Sequence, residues 1–212
     1  QGVATAVGMA MAARYERGLL DPTAPANTSL FDHSIWVICS DGDLQEGVSA
    51  EASSLAGTQE LGNLNIIYDD NRISIEGDTH NAFTEDVAAR YRAYGWHVIE
   101  VAALSTGNID LVSLDAAMVA AKKEISKPTL IRMHSVIAWP APKAQGTASS
   151  HGSALGVEEI KATKIALGLN PDEDFAMPAD VLAHARLVKD RGASTRATWD
   201  AKFATWKSAN PD

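Results

Sequence analysis

The chain has 212 residues, 46% of them hydrophobic, which is enough for one sizeable core within the ordinary size of a single α/β domain. Its formal net charge is −9 and its Lys and Arg are scattered, which argues against nucleic acid as a partner, because a phosphate backbone calls for a concentrated basic face. No apolar run approaches the roughly 18 residues of a membrane span, and no signal-peptide pattern opens the chain, so a cytoplasmic protein with no membrane partner is expected.

In chain order, Gly2 to Arg17 places Val3, Val7, Ala10, Met11 and Arg14 at spacings of three and four, which predicts an amphipathic helix; Met9 and Met11 read most simply as core. The chain opens on Gln1 inside this helix, with neither a cap nor a preceding strand, and a piece of a longer protein is the expectation. Leu20 to His33 holds Pro22 and Pro25 with Asn and Ser, a surface connection on which His33 is solvated. Ser34 to Cys39 (SIWVIC) reads as a buried strand ending on the only cysteine, a small buried hydrophobe with no disulfide partner in the chain. Val48 to Leu61 predicts a helix and Leu64 to Asp69 (LNIIYD) a second buried strand. Asn71 to Phe83 is a loop. Thr84 is expected to cap a helix with Glu85 and Asp86 in its first turn and Gly95 at its end. Trp96 to Val101 gives a third strand, Asn108 to Ile125 a helix and Pro128 to Val136 a fourth strand. This rhythm predicts an α/β fold, a mainly parallel sheet with helices on both faces. Ala138 to Gly156 is a long loop rich in Pro, Gly and small residues; Glu158 to Leu167 and Ala179 to Lys207 are helical.

The chemistry concentrates between Ser40 and Ile73. A parallel crossover brings the carboxyl ends of its two strands to one edge of the sheet, so Asp41 and Asn71, thirty positions apart, can converge there. Asp41, Asn71 and the carbonyls of residues 71–74 are hard oxygen donors, suited to Mg²⁺ or Ca²⁺; they leave an octahedron incomplete, and Mg²⁺ commonly fills the remainder with water and substrate phosphates. Gly42 and Gly47 flank the expected helix start, where backbone N–H groups could approach an anion. On spacing alone Asp41 is about equally a helix cap. Asn71 could also satisfy a turn by its own side chain, with its placement relative to Asp41 the argument for a ligand.

The strings DGDLQEGVSAEASSLAGT, YDDNRISIEG, YRAYGWHV and SHGSALG, in this order, resemble the transketolase family in its diphosphate-binding domain, nearly continuously from Gly2 to about Gly156 and more loosely beyond. The resemblance implies a thiamine diphosphate-binding α/β fold, incomplete at the N-terminus, over residues 1–170, with residues 171–212 a helical tail leading to an interdomain linker. It implies thiamine diphosphate and Mg²⁺ (or Ca²⁺) as cofactors, with Asp41, Asn71 and the main-chain carbonyl of Ile73 on the metal, and Gly42, Asn71 and His151 at the cofactor. His151 would touch both diphosphate and sugar, and Glu46, with Glu51, would belong to a hydrogen-bonded network near a subunit interface; catalytic roles are implied for His151 and Glu46. The implied activity is transfer of a two-carbon glycolaldehyde unit between ketose and aldose phosphates in the pentose phosphate pathway. The implied partners are sugar phosphates, the second subunit of a homodimer and the remaining transketolase domains. Because the family's activating glutamate and further histidines match nothing in this chain, the segment alone is expected to be inactive. Two positions depart from the family pattern: Ser40 stands where glycine is common, able to crowd the diphosphate or to hydrogen-bond it, and Asp70 precedes Asn71. The alternatives are 1-deoxyxylulose-5-phosphate synthase, formaldehyde-using transketolase, the pyruvate dehydrogenase type, or a non-catalytic metal-diphosphate binding module.

Overall fold

The computed structural model describes residues 1–25 and 27–211; Ala26, within the expected 20–33 connection, and Asp212, the last residue of the expected tail, lie outside the described residues. Four strands, β1 (Ile35–Ser40), β2 (Leu64–Asp70), β3 (His97–Val101) and β4 (Thr129–His134), form one sheet in the order β1-β2-β4-β3 with every pairing parallel.

Handedness decides which helix covers which face. The steps from β1 to β2 and from β2 to β3 cross the sheet in one direction, and the step from β3 to β4 returns. Right-handed crossovers therefore place α3 (Gly47–Thr58) and α4 (Val87–Ala93) on one face and α5 (Leu111–Lys123) on the other. The core divides in that way. Val3, Val7 and Ala10 of α1 (Gly2–Leu20) join Ala56 of α3, Tyr91 of α4 and Leu64, Ile66 and Leu130 of the sheet, whereas Ala117 and Ala121 of α5 pack with Val101 and Ile131. Leu130 and Ile131, successive residues of one strand, thus serve opposite faces, as the pleat requires. The sheet is parallel with helices on both faces, as expected, although α5 lies chiefly over β3 and β4. On the uncovered part of that face, at the edge strand β1, Ile38 is 73% exposed.

Several boundaries differ from the sequence expectation. Met9 and Met11 are 56% and 39% exposed rather than core: the buried stripe of α1 runs through Val3, Ala6, Val7, Ala10 and Ala13, and both methionines lie beside it. Arg14, expected on the apolar stripe, instead donates to the carbonyls of Gln59 and Glu60. The helix expected over 48–61 is α3, which ends at Thr58, and a short helix that was not expected precedes it. Asp41–Gln45 forms α2, Glu46 is extended (ψ 131°), and α3 begins at Gly47. The cap of α4 is Asp86, whose carboxylate accepts the Ala89 N–H at 3.0 Å, and not Thr84; Gly95 follows the helix at φ +87°, a conformation that suits glycine. Glycine is also required at Gly62, where an added Cβ would lie 2.0 Å from the Ile125 carbonyl oxygen.

Helix α5 starts three residues later than expected because Asp110 caps it, accepting the N–H groups of Val112 and Ser113 and the Ser113 hydroxyl. The Ser113 hydroxyl above all, with that residue's N–H, holds the Asp110 carboxyl below the usual carboxylate range. A native pKa below the unfolded one contributes stability that is present above about pH 3.9 and is lost as the pH falls through the native value. Asp110→Ala is therefore expected to be destabilised at neutral pH, with its gap to the parent closing in acid. Urea midpoints of the two chains at neutral pH and near pH 3 read this directly.

Beyond β4, the chain forms the loop to Gly156, then α6 (Val157–Ala166) and α7 (Ala179–Ala209). The far end of α7 returns to the connection after α1: Trp199 and Trp206 donate their indole N–H groups to the carbonyls of Leu30 and Leu20, and Trp206 meets the Phe31 ring edge-on at 4.9 Å.

Candidate functional site

The register that pairs Ser40 with Asp69 sets the first residue of α2 level with the tip of β2. Asp41 stands there, 2% exposed. Its Oδ1 accepts the Tyr68 hydroxyl at 2.6 Å and its Oδ2 accepts the Arg72 N–H at 3.1 Å. Burial raises the Asp41 pKa, helped by the nearby charge of Asp70, while the Tyr68 and Arg72 hydrogen bonds pull it back. Burial, then the bond to Asp41, pushes the Tyr68 phenol far up, so the phenol is the donor in this pair. Ser40, the departure from the family pattern, is turned to its own helix: its hydroxyl and N–H both donate to Asp43 Oδ2, at 3.1 and 2.8 Å.

Asn71 begins the following loop and folds its side chain onto it, Oδ1 accepting the Ile73 N–H at 2.9 Å while Nδ2 reaches Asp69 at 3.4 Å. The turn reading of Asn71 is thus realised in this structure, and the same oxygen stays at the loop surface, part-buried. Among the described residues no hydrogen bond ends on the Ile73 carbonyl. An open cleft of about 930 Å³ gathers Gly42, Glu46, Asn71, Ile73 and His151, five of the six predicted site residues. His151 and Glu46 stand exposed at its wall, from the long loop after β4 and from the break between α2 and α3. Gly42 lines it with no atom within 4 Å of where a Cβ would stand, so the space beside it is open. Asp41 instead faces an adjoining cavity of about 460 Å³, with Tyr68, Asp70, Arg72 and Arg132. The structure therefore joins the two strand tips through the Asp41–Arg72 hydrogen bond, with Asp41 lining one cavity and Asn71 and Ile73 lining the other.

Sequence reasoning missed the second layer of this site. Asp70, nearly fully buried, accepts Arg132 Nε at 2.7 Å with His134 Nδ1 lying 3.0 Å from the same oxygen, and Arg132 continues to Glu100 at 3.4 Å, so one line of charge crosses β2, β4 and β3. A signal was available: an arginine in the middle of a buried strand (LIRMH) has to find a carboxylate. Asp69 similarly accepts the Ser135 hydroxyl, tying β2 to the start of the long loop.

Among the described residues no group of three His, Cys, Asp or Glu side chains could hold a metal unaided. The donors that are present, one carboxylate, one amide oxygen and an unengaged carbonyl, fit a hard divalent cation completed by phosphate oxygens and water, and do not fit a soft one.

A parallel α/β sheet whose loops build a polar cleft outside the carboxyl ends of its strands belongs to the class of domains that bind phosphorylated ligands or cofactors at that edge. The chain belongs to the transketolase family: residues 1–212 match the model described as transketolase, thiamine diphosphate binding domain. A transketolase of Mycobacterium leprae is 50% identical over 212 residues, which are 100% of this chain and 30% of that protein. A transketolase of Halalkalibacterium halodurans is 42% identical, again over 100% of this chain and 31% of its own length. Among solved structures, a Pichia stipitis transketolase in complex with sedoheptulose-7-phosphate superposes with TM-score 0.90 at 42% identity, and a Leishmania mexicana transketolase with TM-score 0.91 at 37% identity; each is covered to 30% by the whole of this chain. The chain thus spans about 30% of the length of these relatives. No helix among the described residues is long and apolar enough to cross a membrane.

Proposed function

We propose that this chain is the cofactor-anchoring part of a transketolase, a homodimeric cytoplasmic enzyme of the pentose phosphate pathway that moves a two-carbon glycolaldehyde unit from a ketose phosphate to an aldose phosphate. The observation that carries this reading is the collection, in one cleft at the carboxyl edge of the sheet, of residues drawn from four separate loops and helix ends within a chain matched along its whole length by the family. Thiamine diphosphate, when bound, supplies the electron sink that lets a carbon–carbon bond beside a carbonyl break and re-form.

The chain's own residues have three tasks in this scheme. Asp41, Asn71 Oδ1 and the Ile73 carbonyl hold Mg²⁺ or Ca²⁺ against the diphosphate, a role for which the acidic chain needs a cation as intermediary. To share one cation, Asp41 and Asn71, which line different cavities here, would have to turn toward each other, and the Asn71 oxygen would exchange or share its hydrogen bond from Ile73. Gly42, with nothing crowding it, leaves the backbone beside α2 open to the diphosphate, and His151 at the cleft wall contributes a neutral or protonated imidazole to diphosphate and sugar oxygens. In this reading Glu46 and Glu51 meet a second subunit, which their exposure allows.

Two measurements test this together. Thiamine diphosphate titrated into the full-length protein should bind only when Mg²⁺ or Ca²⁺ is present, and binding indifferent to chelator would overturn the metal assignment. The 212 residues alone should show no glycolaldehyde transfer between xylulose 5-phosphate and ribose 5-phosphate; robust turnover would refute the view that this segment anchors the cofactor while other domains complete the active site.

A further inference from the structure

We propose that Tyr68 is a positioning residue for the cation site, its phenol fixing the rotation of the Asp41 carboxylate so that the remaining lone pairs keep one direction. The inference rests on the reading of Asp41 as a metal ligand. Its own basis is the geometry behind that carboxylate. Tyr68 is 2% exposed, its ring is part of the core beneath α1 and α3, and its hydroxyl donates to Asp41 Oδ1 at 2.6 Å, a short bond of the kind that a phenol makes to a carboxylate.

The second oxygen of Asp41 is held by the Arg72 N–H at 3.1 Å. Both restraints therefore come from β2 and the loop that follows it, the same segment that carries Asn71 and Ile73. A carboxylate has about four lone-pair sites; two are taken by these bonds and two are left for a ligand. Were the tyrosine hydroxyl absent, the side chain would be held at one oxygen only and could turn about its last torsion, which is intrinsically soft. The other acceptor within reach of the phenol, Asp70 Oδ1, lies at 3.4 Å against 2.6 Å for Asp41 Oδ1, so the hydroxyl makes its close bond to Asp41.

The consequence is selective. Mg²⁺ demands a near-ideal octahedron at about 2.0–2.1 Å, whereas Ca²⁺ accepts irregular shells at about 2.3–2.6 Å. A carboxylate locked by its outer partners favours the smaller ion, and loss of such a partner typically weakens metal binding by about 10–100-fold. In the full-length protein, Tyr68→Phe retains the buried ring and removes only the hydroxyl. Titrating Mg²⁺ and, separately, Ca²⁺ in the presence of thiamine diphosphate is expected to show Mg²⁺ affinity falling by about 10-fold or more, with a smaller fall for Ca²⁺. Unchanged Mg²⁺ affinity, or an equal loss for both ions, overturns the positioning role. The ratio remains informative if the variant is less stable, since general loosening of the core weakens both ions alike. Asp41→Asn, run in parallel, separates the two levels of the argument. Loss of metal-dependent binding there with no change in Tyr68→Phe sinks this inference alone, whereas parental binding in Asp41→Asn sinks the cation site itself and the positioning role with it.

Discussion

Replacing Asp41 with alanine in the full-length protein is expected to abolish metal-dependent thiamine diphosphate binding while leaving the sheet intact. Asp41 is the only carboxylate in the proposed donor set, so its removal takes away the formal charge that offsets the cation; the remaining amide and carbonyl are neutral dipoles. The loss should exceed the roughly 10–100-fold that follows removal of an outer partner of a metal ligand. The same substitution strips the Tyr68 hydroxyl and the Arg72 N–H of their acceptor. Leaving a buried donor unsatisfied costs about 1–3 kcal/mol, a moderate loss beside the affinity effect, and Asp70 at 3.4 Å is available to take the phenol. Calorimetric titration of thiamine diphosphate with and without Mg²⁺, beside circular dichroism of the metal-free protein, separates the two effects. Parental affinity in a folded Asp41→Ala protein would remove the carboxylate from the site.

The second large effect falls on stability rather than binding. Asp70→Ala is expected to destabilise the 212-residue chain by about 3 kcal/mol, because it leaves Arg132, whose side chain is only 18% exposed, without its nearest counter-charge in the middle of the sheet. The figure is placed at the lower end of the range for breaking a buried pair because Arg132 keeps Glu100 at 3.4 Å and some contact with water. His134 loses the same partner at 3.0 Å. If the cost arises from a stranded charge and not from lost packing, the double replacement Asp70→Leu with Arg132→Met should recover most of it, since exchanging a whole buried pair for apolar groups is often neutral. Denaturant unfolding of the parent, Asp70→Leu, Arg132→Met and the double variant gives the coupling directly. Additive losses would mean that the two residues act independently.

The residues of β2 illustrate how far the sequence could be read. Its apolar run and its position after a helix of small residues were enough to predict a buried strand paired in parallel with β1, because a strand covered on both faces has to be apolar at successive positions. The oxygen donors at the strand ends were legible for a related reason: parallel topology forces the carboxyl ends of both strands to one edge, whatever lies between them. The family strings then identified Gly42, Glu46, Ile73 and His151, and the structure draws these together with Asn71 in one cleft. The methionines of α1 were less legible. Spacings of three and four admit two adjacent stripes on one helix, and only the position of the sheet selects which is buried.

Sequence by itself determined the kind of fold, the order of its elements, the family and the set of candidate donors, because periodicity, turn chemistry and local strings are properties of neighbouring residues. Tertiary structure alone decided where the Asp41 carboxylate turns, that Tyr68 and Arg72 hold it, and that Asp70 and Arg132 neutralise each other 62 positions apart. Those outcomes depend on the register between strands and on the close packing of side chains from distant segments, and a buried charge or hydroxyl is satisfied by whichever partner that register brings within 3 Å or so.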